Sequence, residues 1–176
     1  SVGVPNLPSG WTASATGAGI GFVTSTASSH TSPNAAFTAN AIPAGGTEIT
    51  SPSITVNSAA STVTFRNSYN TEPTWDGGVL EISIAGGAIV DVIQAGGLFI
   101  ENGYNGTLGN GTNNPVANRP AWTGFSNGFI QSTVQLPPSA NGQNIRLRWR
   151  FGTDSNTGTD FGCTGWSIDT ITVRAT

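Results

Sequence analysis

Ile145-Arg146-Leu147-Arg148-Trp149-Arg150-Phe151 sets apolar and basic side chains in strict alternation. Successive side chains of an extended chain point to opposite faces, so Ile145, Leu147, Trp149 and Phe151 share one face and the three arginines the other. A helix of the same residues would scatter both sets around its axis, so this stretch is read as a half-buried strand. The same parity recurs outward along the chain. Ser61-Thr62-Val63-Thr64-Phe65-Arg66 places Val63 and Phe65 together. Val79-Leu80-Glu81-Ile82-Ser83-Ile84 turns Leu80, Ile82 and Ile84 inward and Glu81 outward. The run from Phe129 to Leu136 aligns Ile130, Val134 and Leu136, broken by Ser132. Turn-forming clusters separate these runs: Pro43-Ala44-Gly45-Gly46, Asp76-Gly77-Gly78, Ala85-Gly86-Gly87, Pro137-Pro138 and Asn141-Gly142. Each supplies the positive or fixed φ that a reversal needs.

Composition fits that reading. Among 176 residues are 24 Gly and 10 Pro, many Ser, Thr and Asn, and 9% charged residues. Gly and Pro disfavour helix, and Ser, Thr and Asn compete for backbone hydrogen bonds, so short strands with many turns are expected. With 36% hydrophobic residues, including 5 Trp and 8 Phe, the chain has the material for a sizeable core. Its length suits one domain, and strands at this spacing favour an all-β antiparallel sandwich or jelly roll. Residues 1–10 are expected as an N-terminal tail and 11–176 as a single domain. The segment from Glu101 to Trp122 is long and polar, and so reads as a functional or mobile loop.

The formal net charge is −3 and all six basic residues are Arg, without a basic tract. A nucleic-acid backbone or an anionic membrane surface is therefore not an expected partner. No apolar run approaches the length of a membrane-spanning helix, so membrane insertion is not expected. Ser1-Val2-Gly3-Val4-Pro5 lacks signal-peptide character, which fits a removed signal or an excised domain. Cys163 is the sole cysteine, which rules out an intrachain disulfide and a Cys-based zinc site. In Phe161-Gly162-Cys163-Thr164-Gly165-Trp166 it reads as a small, partly buried residue. A catalytic thiol needs a nearby His, and the one His, His30, lies far away in a Ser-rich loop. No Gly-x-Ser-x-Gly elbow and no His-x-x-x-His pattern occurs. Asn105-Gly106-Thr107 and Asn110-Gly111-Thr112 match the glycosylation sequon, a signal that arises readily in Asn- and Thr-rich loops.

Three acidic groups are candidates for chemistry. In Trp166-Ser167-Ile168-Asp169-Thr170-Ile171-Thr172-Val173, Asp169 shares parity with Ile171 and Val173. If that face is buried, Asp169 points inward and needs a partner: an Arg, backbone groups or a bound cation. Oxygen-rich surroundings would suit Ca²⁺. The second group is Glu72 and Asp76, in Tyr69-Asn70-Thr71-Glu72-Pro73-Thr74-Trp75-Asp76-Gly77-Gly78. These carboxylates can reach one ion or ligand, or cap their own loop's amides. The third is Asp154, in Gly152-Thr153-Asp154-Ser155-Asn156-Thr157-Gly158-Thr159-Asp160. That loop superficially resembles a Ca²⁺ loop without the EF-hand's spacing or terminal Glu. Glu72 and Asp76 also define an alternative, a stand-alone glycan-active enzyme, since glycosidases use two carboxyls flanking a cleft.

The segment Val63-Thr64-Phe65-Arg66-Asn67-Ser68-Tyr69-Asn70-Thr71-Glu72-Pro73-Thr74-Trp75-Asp76-Gly77-Gly78-Val79-Leu80-Glu81-Ile82-Ser83 resembles part of the MAM-like jelly-roll domains of secreted bacterial proteins. Such domains accompany immune inhibitor A-type metallopeptidases. Further similar segments follow in order: Gly103-Tyr104-Asn105-Gly106, Asn118-Arg119-Pro120-Ala121-Trp122-Thr123-Gly124, Arg146 to Asp154, and Gly165-Trp166-Ser167-Ile168-Asp169, with Ile49-Thr50-Ser51-Pro52 near the start. The resemblance runs from about Trp11 to the end. It implies a noncatalytic jelly roll with a structural Ca²⁺ beside the last strand, near Asp169. The loop His30-Thr31-Ser32-Pro33-Asn34 resembles the "D-H-T" loop of the wider MAM class. Here Ser29 takes the acidic position, leaving Asn34 or backbone carbonyls as substitutes. The expected metal ligands are thus Asp169, Asp76, Glu72, Asn34 and Asp154.

These readings converge on a calcium-stabilised accessory or binding module of a secreted or cell-surface protein. Its expected partners are an extracellular glycan or protein and the neighbouring domains of a larger chain. For a glycan, exposed aromatic rings are expected, and Trp75, Tyr104 and Trp122 are the candidates. Each of the three alternatively plugs an end of the sandwich.

Overall fold

The strand containing Ile145 to Phe151 lies near the middle of one of two packed sheets. A computed structural model describes residues 2–110, 113–155 and 162–175. Its first sheet runs β1 (Thr12–Gly17), β4 (Gly45–Thr50), β13 (Asn144–Thr153), β7 (Gly77–Ile84), β8 (Val90–Asp91), with β5 (Ile54–Thr55) also on β13. The second runs β2 (Val23–Ser25), β3 (Ala35–Ala39), β14 (Gly165–Arg174), β6 (Thr62–Asn70), β12 (Ile130–Gln135), β9 (Leu98–Glu101). A short ribbon pairs β10 (Gly106–Thr107) with β11 (Pro120–Ala121), and every ladder is antiparallel. From β6 onward the long strands alternate between sheets: β6 in the second, β7 in the first, β12 back, β13 across, β14 back. This is an all-β antiparallel sandwich of jelly-roll type, as the sequence predicts. A single 3-10 turn at Pro138–Ala140 is the only helical element among the described residues.

Alternation drives the layering. Ile145, Leu147, Trp149 and Phe151 of β13 meet Val63 and Phe65 of β6 and Leu80 and Ile82 of β7 in one buried cluster. Aromatic rings fill its centre. Phe65 stands edge-on to Trp149 at 5.4 Å and to Trp122 at 5.6 Å between ring centroids, a favoured arrangement. Gly78 is a close-approach position. A Cβ there would lie 2.5 Å from the Trp166 ring, so glycine lets that indole lie against β7. Ser132, which interrupts the apolar face of β12, is wholly buried. It accepts from Asn67 Nδ2 at 2.9 Å and donates to the Asn102 carbonyl at 2.7 Å.

Two expectations need correction. Glu81 does point away from the core, but it is not solvated: it is 3% exposed beneath a layer of ion pairs. Arg148 Nε bonds Glu81 Oε2 at 2.6 Å and Arg148 Nη1 reaches Glu48 at 3.0 Å, while Arg119 joins Glu81 to Asp91. Arg148 of β13 thus neutralises acids on the strands either side, as a buried carboxylate requires, while Arg146 bonds the Ser51 carbonyl. Second, β14 does not keep one parity. Its pairing with β6 shifts register between Asp169 and Thr172, where Thr170 takes φ 50. This β-bulge lets Trp166 and Ile168 face the core before it, and Ile171 and Val173 pack on the core after it. Asp169 therefore falls on the face opposite Ile168 and does not point inward with Ile171.

Residues 2–10, expected as a tail, lie against the sandwich. Thr24 N donates to the Pro5 carbonyl at 3.1 Å, Thr24 Oγ1 donates to the Asn6 carbonyl at 2.8 Å, and Leu7 packs on the core.

Candidate metal centre and the aromatic candidates

Glu72, Asp76 and Asp154 form the acidic group at one end of the sandwich. One carboxylate oxygen from each lies within 4.8 Å of the others. The chain reaches this arrangement through loops locked on both sides. After β6, the backbone turns so that the Trp75 and Asp76 amides both donate to the Glu72 carbonyl, at 3.2 and 3.0 Å. The buried Thr123 Oγ1 donates to the Asp76 carbonyl at 2.7 Å and accepts from Thr74 N at 2.8 Å. Gly78 and Trp122 exchange backbone hydrogen bonds, pinning the 72–76 loop to the 122–124 loop. Asp154 arrives from the end of β13, where Asn114 Nδ2 donates to the carbonyls of Trp75 and Gly152. Asn114 thereby ties that strand end to the acidic loop.

Two of the three carboxylates are buried. Asp76 and Asp154 are each 1% exposed. Burial, with the nearby Asp154 and Glu72 adding to it, pushes the Asp76 carboxyl up to about 7, against the lowering pull of hydrogen bonds from the Asp154 amide and Asn40. The Asp154 amide donates to Asp76 Oδ1 at 2.7 Å and Asn40 Nδ2 to Asp76 Oδ2 at 3.1 Å. Each Asp76 oxygen thus accepts one hydrogen bond from these groups and keeps a second lone pair. The side-chain Oδ1 of Asn40 is buried with no hydrogen-bond partner. Burial pushes the Cys163 thiol up, and the nearby Asp76 and Glu72 carboxylates push it further. Such an arrangement of hard oxygen donors can hold a metal ion, which would relieve the mutual repulsion of the carboxylates.

The other two predicted ligands lie apart from this group. Asp169 and Asn34 line a separate cavity of about 220 Å³ with Trp11, Ile49 and Ile168. Asp169 Oδ2 accepts from the amides of His30 and Thr31, both at 2.8 Å, and Oδ1 from the Thr170 amide at 2.6 Å. The early loop meets Asp169 through backbone N–H donors. Asp169 thus has its partners without a cation. Asn34 donates to the Val2 carbonyl at 3.0 Å.

Of the aromatic candidates, Trp122 is fully buried among Phe65, Phe99, Tyr104 and Trp166, so its ring is closed to any ligand. Tyr104 is half-buried, and its hydroxyl donates to Asp91 Oδ2 at 2.9 Å while accepting from Leu80 N at 2.9 Å. Both plug the sandwich. Trp75 keeps 36% exposure and lies over Gly109, where a Cβ would fall 2.5 Å from its ring. Asn40, Asn114 and Cys163 were not legible as members of the acidic centre, because only the fold brings them to it. In the Gly152-to-Asp160 loop, residues 156–160 lie outside the described residues, as does Phe161 beside Cys163 and as do Gly111 and Thr112 of the second sequon.

Comparison with known proteins places the fold. No family model matches the chain, and no curated protein matches it by sequence. Solved structures do. One, described in a study of promiscuous specificity among carbohydrate-binding modules of the β-sandwich superfamily, superposes with TM-score 0.58 at 13% identity over 94% of this chain. The present chain spans 57% of that protein's length. TmCBM61, solved in complex with β-1,4-galactotriose, gives 0.55 at 12% identity, covering 96% of this chain and 90% of its own. The K1 cleaved adhesin domain of Lys-gingipain from Porphyromonas gingivalis gives 0.55 at 13% identity, covering 97% and 93%. The chain therefore has a β-sandwich fold shared with carbohydrate-binding and adhesin modules. No helix among its described residues is long and apolar enough to cross a membrane.

Proposed function

We propose that this chain is a noncatalytic, calcium-stabilised module of a secreted or cell-surface protein, and that it binds an extracellular glycan. The observation that carries the binding role is the fold likeness over nearly the whole chain to modules that bind carbohydrate or act as adhesins. The MAM-like motifs point the same way, towards an accessory domain beside other domains of a larger extracellular chain. Calcium is the ion of this reading because the three grouped carboxylates, Glu72, Asp76 and Asp154, are hard oxygen donors, with the unpartnered side-chain Oδ1 of Asn40 beside them. Bound there, Ca²⁺ supplies positive charge that lets all three carboxylates stay ionised, and it joins the 72–76 loop to the end of β13. Burial of Asp76 counts against the alternative of a glycan-active enzyme, since a sugar ring has no access between that carboxylate and Glu72.

A ligand that binds only the folded state raises its melting temperature. The Tm should therefore rise on titration with Ca²⁺ at neutral pH and fall on dialysis against chelator. Asp154→Asn should abolish most of that response. A Tm indifferent to both Ca²⁺ and chelator would refute the calcium part of the reading. A glycan array and an assay for released reducing ends test the rest: binding without turnover supports it, and turnover overturns it.

A further inference from the structure

The outer face of the second sheet carries a pocket distinct from the acidic centre and from the loop aromatics. One rung of the sheet runs Val23, Phe37, Ser167, Ser68 across β2, β3, β14 and β6. Their neighbours along the strands, Trp166 and Ile168 on β14 and Asn67 and Tyr69 on β6, are buried inside, so the side chains of this rung point out. The next outward rung is Ala39, Gly165, Asn70, two small residues beside one amide. Gly165 contributes no side chain, and a cavity of about 260 Å³ opens there. Phe37, Ser68, Asn70, Thr164, Ser167 and Ser28 line it. Among the described residues the lining holds no charged side chain.

We infer that this pocket receives one unit of a neutral glycan, with the Phe37 ring against the sugar's C–H face and Ser68, Asn70, Thr164 and Ser167 hydrogen-bonding its hydroxyls. The inference rests on the glycan-binding reading above and gives it a place. Three features carry it. Phe37 is only partly exposed yet takes no part in the core clusters, so its ring serves no packing role inside the sandwich. A flat apolar face flanked by hydroxyl and amide groups matches the two-sided chemistry of a pyranose ring. Asn70 donates through Nδ2 to the Gly162 carbonyl at 3.3 Å but leaves Oδ1 buried and unpartnered, an acceptor that a sugar hydroxyl can satisfy after a small side-chain rotation. Charge decides the class of sugar. No cation lines the pocket, the chain carries a net charge of −3, and the carboxylates of Glu72 and Asp76 lie near Cys163, one residue before Thr164. A uronic or sialic carboxylate would find no cation in the lining to pair with, and the Arg66 one rung beyond Ser68 stands opposite Asp169.

Isothermal titration calorimetry of the whole chain tests this, using β-1,4-galactotriose, cellotriose and mannotriose as neutral probes and trigalacturonate as the acidic one. At least one neutral trisaccharide should bind saturably and trigalacturonate should not. Phe37→Ala should weaken binding roughly tenfold. Ser68→Tyr, which fills the pocket with a residue suited to an exposed strand face, should abolish it. Leu98→Ala, on the far edge of the same sheet, should leave it unchanged. Thermal melts confirm that each variant folds. Neutral-glycan binding that survives both Phe37→Ala and Ser68→Tyr, or that is lost in Trp75→Ala instead, overturns this site while leaving glycan binding itself in place. Tighter binding of trigalacturonate overturns the neutral class. A wild-type chain that binds none of the probes overturns both this site and the reading beneath it.

Discussion

Asp76 holds its proton unusually well, and that has a signed consequence for stability. Its carboxyl is raised to about 7 in the folded chain, chiefly by burial, whereas an unfolded aspartate titrates near the ordinary 3.8. Between these values the folded state binds the extra proton, so stability falls as pH rises. The contribution is fully present below about pH 4 and is lost as pH climbs through about 7. In the absence of divalent cations the Tm should therefore decline across this window, and Asp76→Asn should flatten that decline. Added Ca²⁺ should raise the Tm strongly at pH 7.5 and little at pH 5, where the ion must displace a proton. An equal Ca²⁺ effect at both pH values would contradict the role given to Asp76. Trp122 is the corresponding apolar residue. Fully buried at the meeting point of four aromatic rings, it should cost about 3–5 kcal/mol when replaced by Ala, measured by urea denaturation. A loss below about 1 kcal/mol would mean that its neighbours repack into the space.

Among the elements, the long polar segment from Glu101 to Trp122 behaves as a strap rather than a free loop. Arg119 reaches from it to Glu81 and Asp91, the Tyr104 hydroxyl donates to Asp91, and β10 and β11 close it into a ribbon. Removing Arg119 leaves Glu81, itself 4% exposed at the side chain, paired only through β13. Arg119→Ala should therefore destabilise by about 3 kcal/mol, the scale for breaking a buried pair, while Arg119→Lys recovers part of it. Hydrogen exchange should show the 101–122 backbone opening first in the Ala variant. Exchange rates matching the wild type there would show that the strap holds without its guanidinium. Strands were legible in the sequence where period-two alternation sets an apolar face apart, even on β7, whose other face is buried too. Val63 and Phe65, or Ile145 to Phe151, leave little choice. What stayed hidden depends on contacts between distant segments. Thr170 gives no warning that it adopts positive φ, so the bulge in β14 and the true direction of Asp169 could not be read. Glu81 looked like a solvated residue because its partner Arg119 lies 38 positions away. The acidic centre was half legible. Glu72 and Asp76 share a loop, and Asp154 was a candidate from a separate loop, but only the adjacency of β7 and β13 brings the two loops together.

At the scale of the whole molecule, the ion-pair ladder and the uncharged pocket lie on different sheets. The first sheet carries the ladder of Glu48, Arg148, Glu81, Arg119 and Asp91, closed upon itself by ion pairs. The pocket on the second sheet is lined by Phe37 and uncharged polar groups, while the acidic centre braces one end of the sandwich. An ion at that end and a ligand on that sheet would be coupled through short connections: Cys163 lies beside Asp76 and Glu72, and Thr164 lines the pocket. Glycan affinity should therefore weaken when calcium is stripped, by a few-fold rather than completely, since the pocket's own side chains stay in place. The measurement that bears most directly on the central claim is titration of the calcium-loaded whole chain with neutral oligosaccharides, with reducing ends assayed in the same samples. Saturable binding with no release of new reducing ends is the predicted result. A chain that binds no glycan, or one that cleaves what it binds, would contradict the account.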